Sequence, residues 1–221
     1  MENLIVLNNK MNLPINMEEF DVKLLKNKII YCPAFLYLNR AFKYIKLGSQ
    51  DVSSHEKGSY TGEISANILK NVGVLYSIVG HSERREYFNE DLVVIVNKIH
   101  NLINEGIIPI LCVSETVDEE ELEFLLNEVV DISHFIIAYE PISAIGTNEV
   151  PLNNQIEMMV KKIKDIVNKL KKEEVRVLYG GSVNSSNIKT LKDIPNIDGF
   201  LIGNASLKVD EIRIILEVLE K

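Results

Sequence analysis

With 221 residues, 46% of them hydrophobic and 25% charged, the chain is long enough to bury one sizeable core and has the make-up of a soluble globular protein. A net charge of −8 excludes nucleic acid and anionic membrane as partners through bulk electrostatics, but leaves room for a small anion held by local groups. Cys32 and Cys112 lie in apolar runs without metal-ligand spacing, which reads as buried free thiols in a reducing cytoplasm. The first residues carry no basic leader, and no apolar run approaches the ~20 residues of a membrane span. The expectation is a cytoplasmic protein.

Compact, β-branched apolar runs recur at 4–7, 29–32, 47–50, 76–80, 107–113, 135–139, 175–179 and 199–203. Such runs read as strands covered on both faces, the habit of parallel sheets. Segments of helical spacing separate them. Phe88, Leu92, Ile95, Val96, Ile99, Leu102 and Ile103 form one stripe. Ile156, Met159, Val160, Ile163, Ile166, Val167 and Leu170 form another within 152–172, and Val209, Ile212, Ile215, Leu216 and Leu219 form the last. No G-x-G-x-x-G follows the first strand, and no linker or repeat divides the chain. Eight strands alternating with helices admit an open doubly wound sheet or a closed (β/α)8 barrel; the count of eight and the missing dinucleotide fingerprint favour the barrel, an α/β fold of one domain over 1–221.

Nearly every strand ends in polar residues. They are Asn8 and Lys10 after the first, His81, Ser82 and Glu83 after the fourth, and Ser114 and Glu115 after the fifth. Glu140 closes the sixth, Gly180-Gly181-Ser182 the seventh and Gly203-Asn204 the eighth. In a closed barrel these ends share one mouth, where active sites of this architecture sit. Pro141 biases Glu140 towards extended backbone and stops the ladder, so Glu140 is the last extended residue beneath a loop. Taken singly, Glu140 reads as a surface carboxylate, Lys10 as a solvated lysine, and His81 as a histidine bonded in a turn. The glycine-containing loops after strands seven and eight can aim backbone N–H groups at one anion.

These stretches resemble the triosephosphate isomerase family. The resemblance is carried in order by Asn8-Asn9-Lys10-Met11-Asn12, Gly58-Ser59-Tyr60-Thr61-Gly62-Glu63, Gly80-His81-Ser82-Glu83-Arg84-Arg85, Cys112-Val113-Ser114-Glu115, Tyr139-Glu140-Pro141, Ala144-Ile145-Gly146-Thr147, Tyr179-Gly180-Gly181-Ser182 and Asp198-Gly199-Phe200-Leu201-Ile202-Gly203. It implies interconversion of dihydroxyacetone phosphate and glyceraldehyde 3-phosphate through an enediolate, with no metal or organic cofactor. Glu140 matches the base and His81 the neutral imidazole electrophile, a pairing that is a standard illustration of tuned acid–base groups. Lys10 matches the cation facing phosphate and oxyanion, and Asn8 a second donor. Glu83 would orient Lys10 or relay a proton, and Ser82 would hold Glu140 while the lid is open. Gly146, Ser182, Gly203 and Asn204 would bind phosphate, and Tyr139, Ser143, Ile145 and Tyr179 would form the lid and its latch. Residues 53–63 resemble the loop that places Thr61 in a neighbouring subunit, which implies a homodimer.

The sequence departs from the family pattern mainly in the lid. Ser143 stands where tryptophan is usual, Asn148-Glu149-Val150-Pro151 replaces a longer hinge, Ser114 replaces glycine, and Asn204 replaces the second glycine of the phosphate loop. The outer helical regions after Asn12 and Glu115 are shortened. The expectation is intact chemistry with retuned lid closure and a higher methylglyoxal yield. Two rivals remain at this stage: an isomerase for a four-carbon ketose phosphate, and a non-catalytic phosphoester-binding barrel.

Overall fold

The computed structural model describes residues 3–16, 29–39, 45–114, 119–129, 132, 134–141 and 151–220. Its strands are β1 (Leu4–Asn8), β2 (Ile29–Cys32), β3 (Lys46–Ser49), β4 (Tyr76–Val79), β5 (Ile108–Ser114), β6 (Ile136–Glu140), β7 (Arg176–Tyr179) and β8 (Gly199–Ile202). Its helices are α1 (Ala66–Asn71), α2 (Ser82–Phe88), α3 (Leu92–Asn104), α4 (Glu119–Glu128), α5 (Asn153–Lys171), α6 (Ile188–Leu191) and α7 (Val209–Leu219). Each strand pairs with the next, and β8 returns to β1, closing the barrel. The closing pair is parallel, with Leu4 opposite Gly199 and Leu7 opposite Ile202. The (β/α)8 expectation therefore holds, with most strands displaced by one residue at an end: β1, β5 and β6 run on into Asn8, Ser114 and Glu140.

Alternation along each strand divides the core in two. Leu4, Val6, Ile30, Cys32, Tyr76, Ile78, Ile110, Cys112, Ile136, Ala138, Leu178 and Leu201 pack together inside the barrel. Their neighbours Ile5, Leu7, Ile137, Tyr139, Val177 and Tyr179 belong to a second cluster shared with the helices. Each fully buried aliphatic side chain in these layers stabilises the fold by about 1.5–3 kcal/mol. The same parity sets the mouth. On β1 the inward series Leu4, Val6 continues to Asn8, and on β6 Ile136, Ala138 continues to Glu140.

The outer shell follows the apolar stripes, with Ile95, Val96, Ile99 and Leu102 of α3 buried. Ile156, Val160, Ile163, Ile166 and Val167 of α5 are buried likewise. Phe88 departs from the expected stripe: it ends α2 and is 63% exposed. Asn89 takes a left-handed conformation (φ 52°) that stops α2, and the Asp91 side chain accepts from Val94 N–H to start α3 on a new axis. Beneath this break Lys98 bridges Asp51 (2.7 Å) and Glu90, and Arg84 Nε reaches the same two carboxylates at 2.9 and 2.5 Å. The quartet ties α2 and α3 to the loop after β3. Burial pushes the Asp51 carboxyl up, against the pull of Lys98 and Arg84.

Candidate active site

The β1 end is held by its own polar residues. Lys10 sits at φ 48°, a left-handed conformation uncommon for a lysine. Its N–H donates to Asn8 Oδ1 (3.1 Å), while its carbonyl accepts from Gln50 Nε2 (2.9 Å). Gln50 Nε2 also donates to the Cys32 carbonyl at 2.9 Å. Asn9 is buried, and its Nδ2 donates to the carbonyls of Asn12 and Leu13 at 2.8 and 3.1 Å. Asn12 Nδ2 returns a bond to the Asn9 carbonyl at 2.9 Å. So fixed, Lys10 places its Nζ 2.5 Å from Glu83 Oε1.

Gly80 ends the β4 run at φ 66°, which a side chain would disfavour, and the turn sets His81 as the N-cap of α2. His81 Nδ1 accepts from the backbone N–H of Glu83 at 3.2 Å. An Nδ1 used as acceptor carries no proton, so this bond assigns the remaining ring proton to Nε2. Nε2 in turn lies 3.1 Å from Glu140 Oε1. The imidazole is therefore oriented from behind by α2 and presents one N–H to the barrel axis.

Glu140 is buried at the last position of β6, and its Oε2 has no hydrogen-bond partner among the described residues. Burial alone pushes its carboxyl up, but His81 outweighs that and the net direction is downward. Smaller downward contributions come from the Cys112 thiol and the Ser82 N–H. For His81, burial opposes the charged form, but the carboxylates of Glu140 and Glu83 overcome it and the net direction is upward. Gly180 makes room for the Glu140 side chain, since a Cβ there would lie 2.9 Å from Glu140 Cγ.

The loops after β7 and β8 complete the mouth. Gly203 precedes a short 3-10 helix, Asn204–Leu207, and Ser206 Oγ donates to the Asn8 carbonyl at 3.1 Å. A cavity of about 350 Å³, ample for a small phosphorylated substrate, is lined by Asn8, Lys10, His81 and Glu140 together with Ser182, Gly203 and Asn204. Residues from five strand ends thus converge on one space.

The whole of this frame matches a known one: a sequence model of the family described as triosephosphate isomerase covers residues 3–219. The chain belongs to the triosephosphate isomerase family. A protein of that name from Baumannia cicadellinicola is 41% identical over 211 residues, covering 86% of this chain and 82% of the relative. One from Colwellia psychrerythraea is 38% identical over 213 residues, covering 85% and 83%. One from Mesomycoplasma hyorhinis is 43% identical over 176 residues, covering 75% and 71%.

Of the residues that the resemblance to triosephosphate isomerases singles out, Asn8, Lys10, His81, Glu140, Ser182, Gly203 and Asn204 share the one cavity. Glu83 stands beside it, bonded to Lys10. The Ser82 hydroxyl is buried without a hydrogen bond among the described residues, and its backbone N–H is the group that faces Glu140. Tyr139 and Tyr179 point outward from the barrel, their ring centroids 6.3 Å apart, and the buried Tyr179 hydroxyl has no hydrogen-bond partner among the described residues. Thr61 is exposed on the loop after β3. Ser143, Ile145 and Gly146 lie outside the described residues, as do Glu115 and the altered hinge 148–150. Sequence reasoning missed Gln50, Asn9 and the downward pull of the Cys112 thiol on the Glu140 carboxyl. Gln50 is a polar residue after a strand like the others, but its bonds go to the carbonyls of Lys10 and Cys32, which no residue type announces.

Proposed function

We infer that this chain, as one (β/α)8 domain, interconverts dihydroxyacetone phosphate and D-glyceraldehyde 3-phosphate by proton transfer through an enediolate. The observation that carries the reading is the His81–Glu140 pair: an imidazole whose Nδ1 is locked by a backbone N–H faces a buried carboxylate at 3.1 Å. A C–H beside a carbonyl is only weakly acidic, so its removal needs a dry base and fixed donors at the oxygen that gains charge.

Glu140 takes the proton from the carbon beside the carbonyl, and the C–H electron pair becomes the C=C bond of the enediolate. The carbonyl π electrons move to oxygen, where His81 Nε2–H and Lys10 Nζ supply the donors. The hydroxyl proton passes to that oxygen, and Glu140 returns its proton to the neighbouring carbon. Substrate oxygen replaces Glu140 as the partner of Nε2–H. That weakens the carboxylate's pull on the ring and leaves burial, the Lys10 charge and the Glu83 N–H on the side of neutral imidazole, against the Glu83 carboxylate. Glu83 orients Lys10, and Asn8 fixes its backbone through the bond to Lys10 N–H. Ser182, Gly203, Asn204 and the lid's Gly146 hold the phosphate, with Tyr139, Ser143, Ile145 and Tyr179 serving the lid and its latch.

The working unit is a homodimer in the cytoplasm. Supporting the dimer, Met11 and Leu13 beside the site are 97% and 76% exposed, and Tyr60 stacks on His55 in the loop that carries Thr61. Supporting the compartment, both cysteines are free and buried. Among the described residues no helix is long and apolar enough to cross a membrane.

A steady-state assay on glyceraldehyde 3-phosphate tests the function, run beside Glu140→Gln and an erythrulose phosphate. Turnover of the triose should fall by about 10²–10⁴-fold in the variant, the usual worth of a positioned base. An unchanged rate would falsify Glu140 as the base, and preference for the four-carbon substrate would reassign the specificity.

A further inference from the structure

We propose that Glu211, in the first turn of α7, is a positioning residue that holds the β7 loop in register with the β8 loop, so that both aim their N–H groups at one phosphate. The proposal rests on the reading of those loops as the phosphate site.

The loop from Gly180 to Asn187 carries Ser182 and is rich in bonds to itself. Asn187 Nδ2 donates to the Ser182 carbonyl at 2.6 Å, and Asn187 Oδ1 accepts from Asn184 N–H at 2.9 Å. Asn184 Oδ1 accepts from the N–H and hydroxyl of Ser186 at 2.9 and 2.5 Å. Such bonds set the shape of the loop, but none of them sets its place relative to the next loop. A bond of another kind does so. Ser185 N–H donates to Glu211 Oε2 at 2.8 Å, joining the β7 loop to a helix that continues directly from the β8 loop.

The helix side of that bond is itself anchored to the site. Between Gly203 and α7 lie only the 3-10 helix Asn204–Leu207 and Lys208, and Ser206 within it bonds to the Asn8 carbonyl. Glu211 therefore closes a ring running from Asn8 through Ser206 and α7 to Ser185 and Ser182. Glu211 lines the same cavity as Ser182, Gly203 and Asn204. A carboxylate beside a dianion's site is unfavourable for binding by charge alone, so its presence calls for a compensating role. The Glu211 oxygen that accepts from Ser185 N–H holds the β7 loop at a fixed distance from α7, and that tether serves the role.

Two variants separate tether from charge. Glu211→Gln keeps an acceptor of the same reach, and Glu211→Ala removes it. Glu211→Ala should raise KM for glyceraldehyde 3-phosphate and the dissociation constant of inorganic phosphate, each by roughly three- to tenfold, with kcat within about twofold. Glu211→Gln should keep both constants within about twofold of the parent or tighten them, since the repulsive charge is gone. Phosphate binding is read from backbone amide NMR shifts, which in the parent protein should move at Ser182, Gly203 and Asn204. If those amides do not move, the phosphate-site reading fails and takes this proposal with it. If they move while Glu211→Ala binds phosphate like the parent, the tether alone is refuted. It is refuted equally if Glu211→Gln loses as much as Glu211→Ala, or if Glu211→Ala lowers kcat with KM unchanged.

Discussion

A methyl group added at Gly180 is a sharp probe of how finely Glu140, the proposed base, is placed. The new Cβ would stand 2.9 Å from Glu140 Cγ and 3.4 Å from the Tyr139 carbonyl, while carbon pairs prefer about 3.5–4.0 Å. The backbone carbonyl is part of the β6–β7 ladder, where Gly180 N–H bonds to it at 2.8 Å, so the glutamate side chain is the partner that gives way. Its Cγ must retreat by about 0.6–1.1 Å, and the carboxylate oxygens swing further about that pivot. A displacement near 1 Å in a reacting group costs about 10² in rate. Gly180→Ala should therefore lower kcat by roughly two orders of magnitude, while overpacking costs about 1–3 kcal/mol of stability. Steady-state kinetics on glyceraldehyde 3-phosphate, paired with urea unfolding, reads both. A folded Gly180→Ala protein with kcat within twofold of the parent would refute the argument that this glycine sets the position of Glu140.

The His81–Glu140 pair should also leave a mark on stability. The Glu140 carboxyl is held below its ordinary 4.5, so its contribution is present above that pH and lost as pH falls through the folded value. His81 is held above its ordinary 6.5, so its contribution is present below that pH and lost as pH rises through the folded value. The difference in urea midpoint between the parent and Glu140→Gln should therefore be most favourable to the parent between about pH 4.5 and 6.5 and shrink on either side; a flat difference would contradict the pairing. In the buried quartet, Lys98→Met leaves Asp51 and Glu90 with fewer cations, and the stability lost should be about 3–5 kcal/mol, the usual cost of breaking a buried pair. A loss below 1 kcal/mol in urea unfolding would show that water or Arg84 alone satisfies both carboxylates.

The barrel was legible because buried parallel strands leave apolar runs that need no partner to be recognised, and the polar residues at their ends favoured one shared mouth over an open sheet. Glu140 was legible too, since Pro141 ends the ladder at a fixed residue. The break between α2 and α3 was not, because Phe88 keeps the helical spacing of the α3 stripe although Asn89 turns the chain before it. The hold on Lys10 was hidden for a different reason. Gln50, Asn9 and Asn12 act through bonds to backbone carbonyls, which carry no residue-type signature. Glu211 was equally silent: it is one acidic residue in a helix's first turn, where carboxylates are favoured by the dipole whether or not they have further work.

The two-residue alternation along β6 reaches beyond placement of the base. Slipping that strand by one residue would turn Tyr139 towards the barrel axis and carry Glu140 out against the helices, exchanging a ring for a carboxylate on both faces at once. Such a barrel would bury a charge in an apolar layer and take the proposed base out of the mouth, so misregistered chains should lose stability and turnover together. Recovery of activity during refolding should then track ring closure in step, making the reaction itself a built-in report on whether the eighth strand has found the first.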